Sequence, residues 1–185
     1  MTNSLKKKDS CMNSSMENPE PFHACEYKQN LELLRQVYLF AKLPMEALKV
    51  LAFLCSKETY RAGDFLFRQG EEDDQALLLL SGTARLVREY NGTEQSLRDY
   101  GAHDFIGAMS LFGKRNRLYS LIAATDTTCL VLEREKFFKA LAQFPAVFPL
   151  IVQAITDRIH ALEEKLLARQ EDHGDHQDIV GISLI

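Results

Sequence analysis

The sequence predicts a mainly β fold with flanking helices (α+β), in which short antiparallel strands form a sandwich or barrel. Between residues 58 and 132, short strand-like runs alternate with glycines at intervals of roughly 8–12 residues, which is typical of such folds. Apolar residues recur at helical spacing on both sides of this region. The chain has 185 residues, 46% of them hydrophobic, which is enough for one core and too few for two ordinary domains.

The N-terminal part of the chain is predicted to be an arm followed by two short helices. Residues 1–26 are rich in Ser, Asn, Lys and Glu and show no periodicity, which is typical of a flexible arm. Pro44 interrupts the helical pattern that follows and suits the first turn of a second helix, where its missing N–H is not needed. The residues at helical spacing are Leu31, Leu34, Val37, Tyr38 and Ala41, and then Leu48, Leu51, Ala52 and Cys55.

Two turns are visible within the strand-rich region. Asn91-Gly92 lies between two runs of strand character and predicts a two-residue hairpin, because both central residues of that turn must accept a positive φ. Farther on, Thr125-Asp126-Thr127 separates two apolar runs and predicts a second turn. These turns favour antiparallel pairing over a parallel sheet.

The C-terminal part is predicted to be helical. A short helix ends near Pro145, and a long helix is expected over residues 145–171, before a tail at 172–185. The long helix carries a narrow apolar stripe that continues past the point where one core would cover it, which favours a homodimer seam over packing on its own barrel. The stripe consists of Phe148, Ile151, Ile155, Ile159, Leu162 and Leu166.

Composition argues against several function classes. The net charge is −4 and the pI is about 5.8, so no global basic field attracts nucleic acid or an acidic membrane. The longest apolar runs are far shorter than the roughly 20 residues that span a bilayer. Lys6-Lys7-Lys8 has no apolar run behind it and is therefore not a secretory signal. We expect a cytoplasmic protein without a membrane segment.

The cysteines and histidines do not form a recognisable metal motif. Cys11, Cys25, Cys55 and Cys129 include no Cys-x-x-Cys pair, so free thiols are the favoured interpretation and no metal site is predicted. A redox or haem sensor that uses His23, Cys25 or Cys129 remains an alternative. The acidic run Glu71–Asp74 is interpreted as a solvated loop rather than a catalytic or metal site, and the tract containing His173 and His176 as a solvated tail.

The segment Gly107–Ser120 is the most informative one. It begins with Gly, passes through a short predicted helical turn and places three cations, Lys114, Arg115 and Arg117, within four residues of an acidic protein. Unpaired N–H groups at the start of the turn and a guanidinium would together bind an anion. On composition alone, an exposed basic loop between strands explains the segment equally well.

Four motifs in order resemble the cyclic-nucleotide-binding family. They are the helical lead-in Leu39–Pro44, the strand-and-glycine-turn segment Tyr60–Glu71, the Ser81-Gly82 junction, and Asp104–Ala108 through Arg117–Ser120, which has the spacing of the family's phosphate-binding cassette. The resemblance covers about residues 35–170. It implies an eight-stranded jelly-roll β-barrel over residues 27–144, with a C-terminal helix that acts as a ligand lid or a dimer interface.

The resemblance also implies site residues within Gly107–Ser120, called the cassette from here on. Arg117 matches the family's arginine that binds the cyclic phosphate, and Gly107 matches the family's cassette glycine. Ser120 stands where the family often has a Ser or Thr that lines the pocket. The ribose-binding glutamate of the family is replaced by Ala108, so the cassette is degenerate. Tyr119 stands where a small residue is usual, and Leu162 and Glu163 lie near the purine-capping position. The residues predicted to contact the ligand are Gly107, Ala108, Met109, Arg117, Leu118 and Ser120.

The sequence therefore predicts a non-catalytic regulatory module. Its predicted ligand is cyclic AMP or cyclic GMP, with no required cofactor, and binding would change contacts with a second copy or with another protein partner. The predicted dimer contacts are Ile151, Ile155, Ile159, Leu162 and Leu166. Too few residues follow Glu171 for the family's helix-turn-helix, so direct DNA binding is not expected. The alternatives are a ligand-free protein-interaction scaffold on the same fold and the redox or haem sensor.

Overall fold

The structure, a computed structural model, describes the backbone of residues 20–173 and the side chains of residues 27–168. Helix α1 spans Glu20–Gln36, and α2 spans Met45–Leu54. Helix α3 spans Arg134–Gln143, and α4 spans Phe148–His173. Helix α1 thus begins inside the segment assigned to the arm, while residues 1–19 and 174–185 lie outside the described chain. Pro44 is the N-cap of α2, with an extended ψ of 150°, and not a first-turn residue.

The described residues between α2 and α3 form ten strands, not the eight expected from the resemblance. Three of the ten are only two residues long. The strands are β1 Ser56–Tyr60, β2 Phe65–Phe67, β3 Glu72–Asp73, β4 Gln75–Ser81, β5 Ala84–Tyr90, β6 Thr93–Tyr100, β7 Phe105–Ile106, β8 Arg115–Asn116, β9 Ser120–Ala123 and β10 Thr127–Glu133.

The strands form two four-stranded antiparallel sheets and one ribbon. The strand orders are β1-β10-β4-β7 and β2-β9-β5-β6, and β3 pairs with β8. Among the described strands no pairing joins the two larger sheets, so they form a jelly-roll-like sandwich and not a closed barrel. The predicted mainly β fold with flanking helices is confirmed.

The two predicted turns are present, and the second lies one residue earlier than the sequence placed it, because Thr127 already belongs to β10. Asn91 and Gly92 connect β5 to β6 with φ values of 51° and 74°, which is the left-handed conformation that a two-residue hairpin needs. Residues 124–126 connect β9 to β10. The first connection joins two paired antiparallel strands, whereas the second leads from one four-stranded sheet to the other.

Strand β4 explains the long apolar run near the middle of the sequence. Leu77 and Leu79 pack between the two sheets, whereas Ala76 and Leu78 pack against the helices. Successive side chains of a strand point to opposite faces, so a strand covered on both faces reads as continuously apolar. The neighbouring β10 alternates in the same way.

Helix α4 packs on the domain only over its first turns. Ile151 is completely buried and Ala154 nearly so, in the cluster formed by the helices. Ile151 is therefore a core residue, and its prediction as a dimer contact is wrong. Farther along the helix, Leu162 and Leu167 are 48% and 57% exposed.

Candidate functional site

The cassette connects β7 to β9 and is irregular along most of its length. Gly107 follows β7 and is the N-cap of a single turn of 3₁₀ helix at Ala108–Leu111, and the short β8 precedes Arg117. The first two residues of this turn have no intrahelical partner for their N–H groups. The turn predicted from the sequence is therefore present, in the tighter 3₁₀ form.

Gly107 lies directly against Arg117. Its φ is 80°, a left-handed conformation that residues with a Cβ rarely adopt. A Cβ at this position would stand 2.9 Å from Nη1 of Arg117 and 2.9 Å from the carbonyl oxygen of Gln75. Both the backbone conformation and the available space therefore require glycine here.

Arg117 is buried, which corrects the interpretation of the segment as an exposed basic loop. Its Nη2 lies 2.5 Å from Oδ1 of Asp73 and donates a hydrogen bond to the carbonyl oxygen of Gln75 at 2.9 Å. Its guanidinium carbon lies 3.7 Å from the centroid of the Phe67 ring, a cation–π contact. The described contacts use Nη2 and the flat face of the guanidinium, and Nη1 faces Gly107.

Asp73 connects Arg117 to two further residues. The hydroxyl of Ser110 donates a hydrogen bond to Oδ2 of Asp73. Nη2 of Arg134 donates to the Asp73 carbonyl oxygen, and Nε of Arg134 donates to the carbonyl oxygen of Ser110 at 2.7 Å. Oδ1 accepts no well-aligned hydrogen bond, so its contact with Arg117 is an ion pair and not a forked hydrogen bond.

Burial shifts the pKa of each member of this ion pair in the direction that favours its uncharged form. Desolvation raises the pKa of Asp73, an effect that the charge of Arg117 opposes. Desolvation also lowers the pKa of Arg117, opposed chiefly by Asp73. Each charge is therefore held in the interior mainly by its partner.

The remaining predicted site residues are less enclosed. Met109 and Leu118 are 46% and 71% exposed, and Ala108 is partly buried against the helical core. The Ser120 hydroxyl accepts a hydrogen bond from the Gln69 N–H at 2.8 Å. The ring of Tyr119 lies 6.4 Å from that of Phe67, between centroids, and packs on the core between the sheets. Of the predicted set, the described contacts bring Gly107 and Arg117 together.

Three residues of the network were not predicted from the sequence. Asp73 was assigned to a solvated acidic loop, but it is only 7% exposed, whereas Glu72 and Asp74 on either side are exposed. Alternation along an extended segment supplies the missing signal, because successive side chains point to opposite faces and Asp73 points inward while its neighbours point outward. Ser110 and Arg134 carry no comparable signal, since their partners are distant in sequence.

Comparison with known proteins identifies the family. The model of the cyclic nucleotide-binding domain matches residues 57–144. A cyclic nucleotide-binding-like protein from Brucella abortus is 30% identical, with a TM-score of 0.58, and the match covers 62% of this chain and 98% of that one. The chain belongs to the cyclic nucleotide-binding domain family.

Two further proteins are similar to comparable shares of the chain. The N-terminal domain of a transcriptional regulator from Streptomyces coelicolor is 28% identical, with a TM-score of 0.66 over 71% of this chain and 95% of that one. A cGMP-dependent protein kinase from Caenorhabditis briggsae is 28% identical over 118 residues, which are 62% of this chain and 16% of the kinase. The chain thus spans about a sixth of the length of the first curated relatives it matches.

The thiols of this cyclic nucleotide-binding domain give no support to the redox alternative. Cys129 is fully buried, and burial raises the pKa of its thiol to about 12. Cys11 and the side chains of His23 and Cys25 lie outside the described residues. In the described part of the chain, no group of three or more His, Cys, Asp or Glu side chains is arranged to hold a metal ion.

No single helix of the described chain has the length and apolarity needed to cross a membrane. The two segments Arg134–Gln143 and Pro145–Ala168 meet those criteria only when taken together, and they are bent by 108° at the break between them.

Proposed function

We propose that the domain binds a cyclic nucleotide at the cassette, with Arg117 as the ligand of the cyclic phosphate. The observation that carries this proposal is the buried guanidinium of Arg117 against Gly107. Burial strengthens the interaction of a cation with an anion, and glycine at position 107 lets the backbone approach the guanidinium closely. The names of the relatives, which include cGMP-dependent protein kinases, support this ligand class.

Arg117 has capacity for an additional partner. A guanidinium has five N–H donors, and the described contacts with Asp73 and Gln75 engage only Nη2. A cyclic phosphate would accept hydrogen bonds from N–H groups of Arg117 that these contacts do not use, while Asp73 continues to balance the buried charge. Ala108 cannot accept a hydrogen bond from the ribose 2′-hydroxyl, so we expect weaker binding than in a domain with a carboxylate there.

Calorimetric titration with cyclic AMP and cyclic GMP tests the proposal and distinguishes between the two ligands. We expect binding of at least one of them by the wild-type protein and by the Arg115→Ala variant, which removes an exposed arginine two positions away. We expect Arg117→Ala and Arg117→Lys to lose it, because a lysine cannot present a planar fork. Wild type that binds neither nucleotide at millimolar concentration would overturn the proposal.

We further propose that the module has no catalytic activity and acts by changing contacts with a second copy of the chain or with another protein. The apolar stripe of α4 continues beyond Ile151 through the half-buried Ile155, Ile159 and Leu166 and the exposed Leu162. These residues are spaced by four, three and four positions, which supports a helix-to-helix contact. Cyclic nucleotide would shift the equilibrium between two arrangements only to the extent that it binds one of them more tightly.

A further inference from the structure

A cavity of about 740 Å³ lies beside α1, at the end of β4 that is remote from the cassette. Gln75, whose carbonyl oxygen accepts a hydrogen bond from Arg117, begins β4. Leu80 and Ser81 end the same strand and line the cavity. A strand rises about 3.4 Å per residue, so about 20 Å of β4 separates the cavity from the contact with Arg117. The cavity is therefore distinct from the cassette.

The side of the cavity that adjoins the core is apolar. Leu33 of α1 and Leu80 of β4 line it, and both are partly buried against the cluster formed by the helices. Apolar surface of this kind can hold the body of a small molecule, and the volume lies within the range of small-molecule sites.

The exposed rim of the cavity carries nitrogen donors. Lys28 of α1, Lys57 of β1 and His103, which lies between β6 and β7, all line it. Glu32 is the one carboxylate among the described lining residues, and its Oε2 lies 4.0 Å from Nη1 of Arg35, which does not line the cavity. The rim is thus locally basic in a protein with a net charge of −4, and it favours an anionic group.

His103 is held at this rim by its own backbone. Its φ is 74°, a left-handed conformation that is uncommon outside glycine. Its N–H donates to the carbonyl oxygen of Leu79 at 2.7 Å, and the N–H of Gly101 donates to Oδ2 of Asp104 at 2.8 Å. These bonds do not use the imidazole, so His103→Gly removes the ring and suits the backbone conformation.

The cavity between the β3–β8 ribbon and α3, of about 580 Å³, lacks this arrangement. Its lysines are already paired with carboxylates of the same cavity, since Lys114 lies 3.3 Å from Glu72 and Lys139 lies 2.7 Å from Glu135. An anion would have to compete with these carboxylates there.

We propose that the cavity beside α1 binds a small organic anion, a molecule with an apolar body and one carboxylate, sulfonate or phosphate group. The apolar body packs on Leu33 and Leu80, and the anionic group accepts hydrogen bonds from Lys28 and His103. This site goes beyond the proposed binding of a cyclic nucleotide and does not depend on it.

Fluorescence titration with 8-anilino-1-naphthalenesulfonate, an aromatic molecule with one sulfonate, tests the inference. Millimolar cyclic AMP and cyclic GMP are present throughout to occupy the cassette. We expect the wild type to bind the sulfonate with a dissociation constant below about 100 μM. Lys28→Gln and His103→Gly should each lower this affinity about tenfold, as for a lost hydrogen bond to a charged group. Neither change should alter binding of N-phenyl-1-naphthylamine, which has the same rings without the sulfonate.

Lys49→Gln and Asn91→Gly are the matched controls. Lys49 is an exposed lysine on α2, and Asn91 is the other non-glycine residue of the described chain with a positive φ. Neither is among the lining residues, so both variants should bind the sulfonate as the wild type does. Equal affinity in the wild type, Lys28→Gln and His103→Gly would overturn the inference, as would a wild type that does not bind the sulfonate. A wild type that binds the sulfonate but neither nucleotide would overturn the proposed function alone.

Discussion

Nη2 of Arg117 lies 2.5 Å from Oδ1 of Asp73, and the two side chains are only 4% and 8% exposed. Neither charge reaches bulk water to an appreciable extent, so each depends on the other for compensation. Buried pairs of this kind add little net stability, but removing one partner is costly because the remaining charge is left in a medium of low polarity. The stability of the domain and the proposed anion site therefore depend on the same two residues.

Replacing Arg117 with alanine should destabilise the domain strongly. It leaves the Asp73 carboxylate buried without its cation, and we expect the free energy of unfolding at pH 7 to fall by about 3–5 kcal/mol. Urea denaturation followed by circular dichroism measures this change. Arg115→Ala, at an exposed position, should remain within about 0.5 kcal/mol of wild type. Adding Asp73→Asn to Arg117→Ala should recover much of the loss, and a double variant no more stable than the single one would contradict the explanation.

The loss caused by Arg117→Ala should also depend on pH. Burial raises the pKa of Asp73, and the substitution removes the largest opposing effect. A carboxyl whose folded-state pKa exceeds its unfolded value of about 3.9 contributes full stability below that unfolded value and loses the contribution as pH rises through the folded-state pKa. Arg117→Ala should therefore lose less stability relative to wild type at pH 5 than at pH 7. Equal losses at the two pH values would exclude this account.

Gly107→Ala should be more damaging than Gly63→Ala, although both glycines have a positive φ. Gly63 has open space where a Cβ would be, so its replacement costs only the left-handed strain of about 1–2 kcal/mol. At Gly107 the new Cβ would also meet Arg117 and the backbone oxygen of Gln75 at 2.9 Å, which adds about 1–3 kcal/mol. Denaturation and nucleotide titration of both variants measure the difference. Similar stability and affinity in the two variants would show that the close approach at Gly107 is unimportant.

Ala108→Glu should increase affinity for the proposed nucleotide. The resemblance places the ribose contact at this position, and a carboxylate that accepts from the 2′-hydroxyl contributes roughly 1.5–3 kcal/mol, or about ten- to a hundredfold. Titration with a cyclic nucleotide and with its 2′-deoxy form measures the gain, which should be absent for the deoxy ligand. Met109→Glu adds the same charge one residue along, at an exposed side chain, and is expected to give no such preference.

Leu162→Glu should weaken the proposed dimer. Leu162 lies on the stripe with Ile159 and Leu166 and is half exposed in the single chain, so a dimer would desolvate the new carboxylate. Sedimentation velocity over a range of protein concentrations measures the association. Leu167→Glu is the matched control, because Leu167 is more exposed but lies off the stripe. Wild type that sediments as a monomer at every concentration would refute the proposed dimer.

Cys55 and Cys129 should be unreactive in the folded protein. Burial raises the pKa of each thiol to about 12, so almost no thiolate is present at pH 8. In a background of Cys11→Ser and Cys25→Ser, a thiol reagent should modify the protein slowly until urea unfolds it. Rapid labelling of either cysteine without denaturant would reopen the redox alternative.

The parts of the fold that could be predicted are those set by the conformational preferences and spacing of neighbouring residues. The Asn91-Gly92 hairpin follows from turn residues that accept a positive φ, and the helices follow from apolar periodicity and from Pro44. The apolar stripe of α4 was equally visible, but periodicity cannot distinguish a residue packed on its own domain from one left for a partner. Ile151 was therefore misassigned, while the exposed Leu162 remains a candidate contact.

The sequence by itself determined the class of fold, the family resemblance and the position of Gly107 and Arg117 in the candidate site, because each of these is encoded within a few consecutive residues. Only the tertiary structure decided which groups surround Arg117. Ser110 lies 37 residues from Asp73 in the chain and Arg134 lies 61 residues from it, so no local pattern links them. Asp73 is the counter-ion of Arg117, and Arg134 connects these residues to α3. The packed sheets and helices exclude water here, so each buried charge and carbonyl group must be paired with another group of the protein.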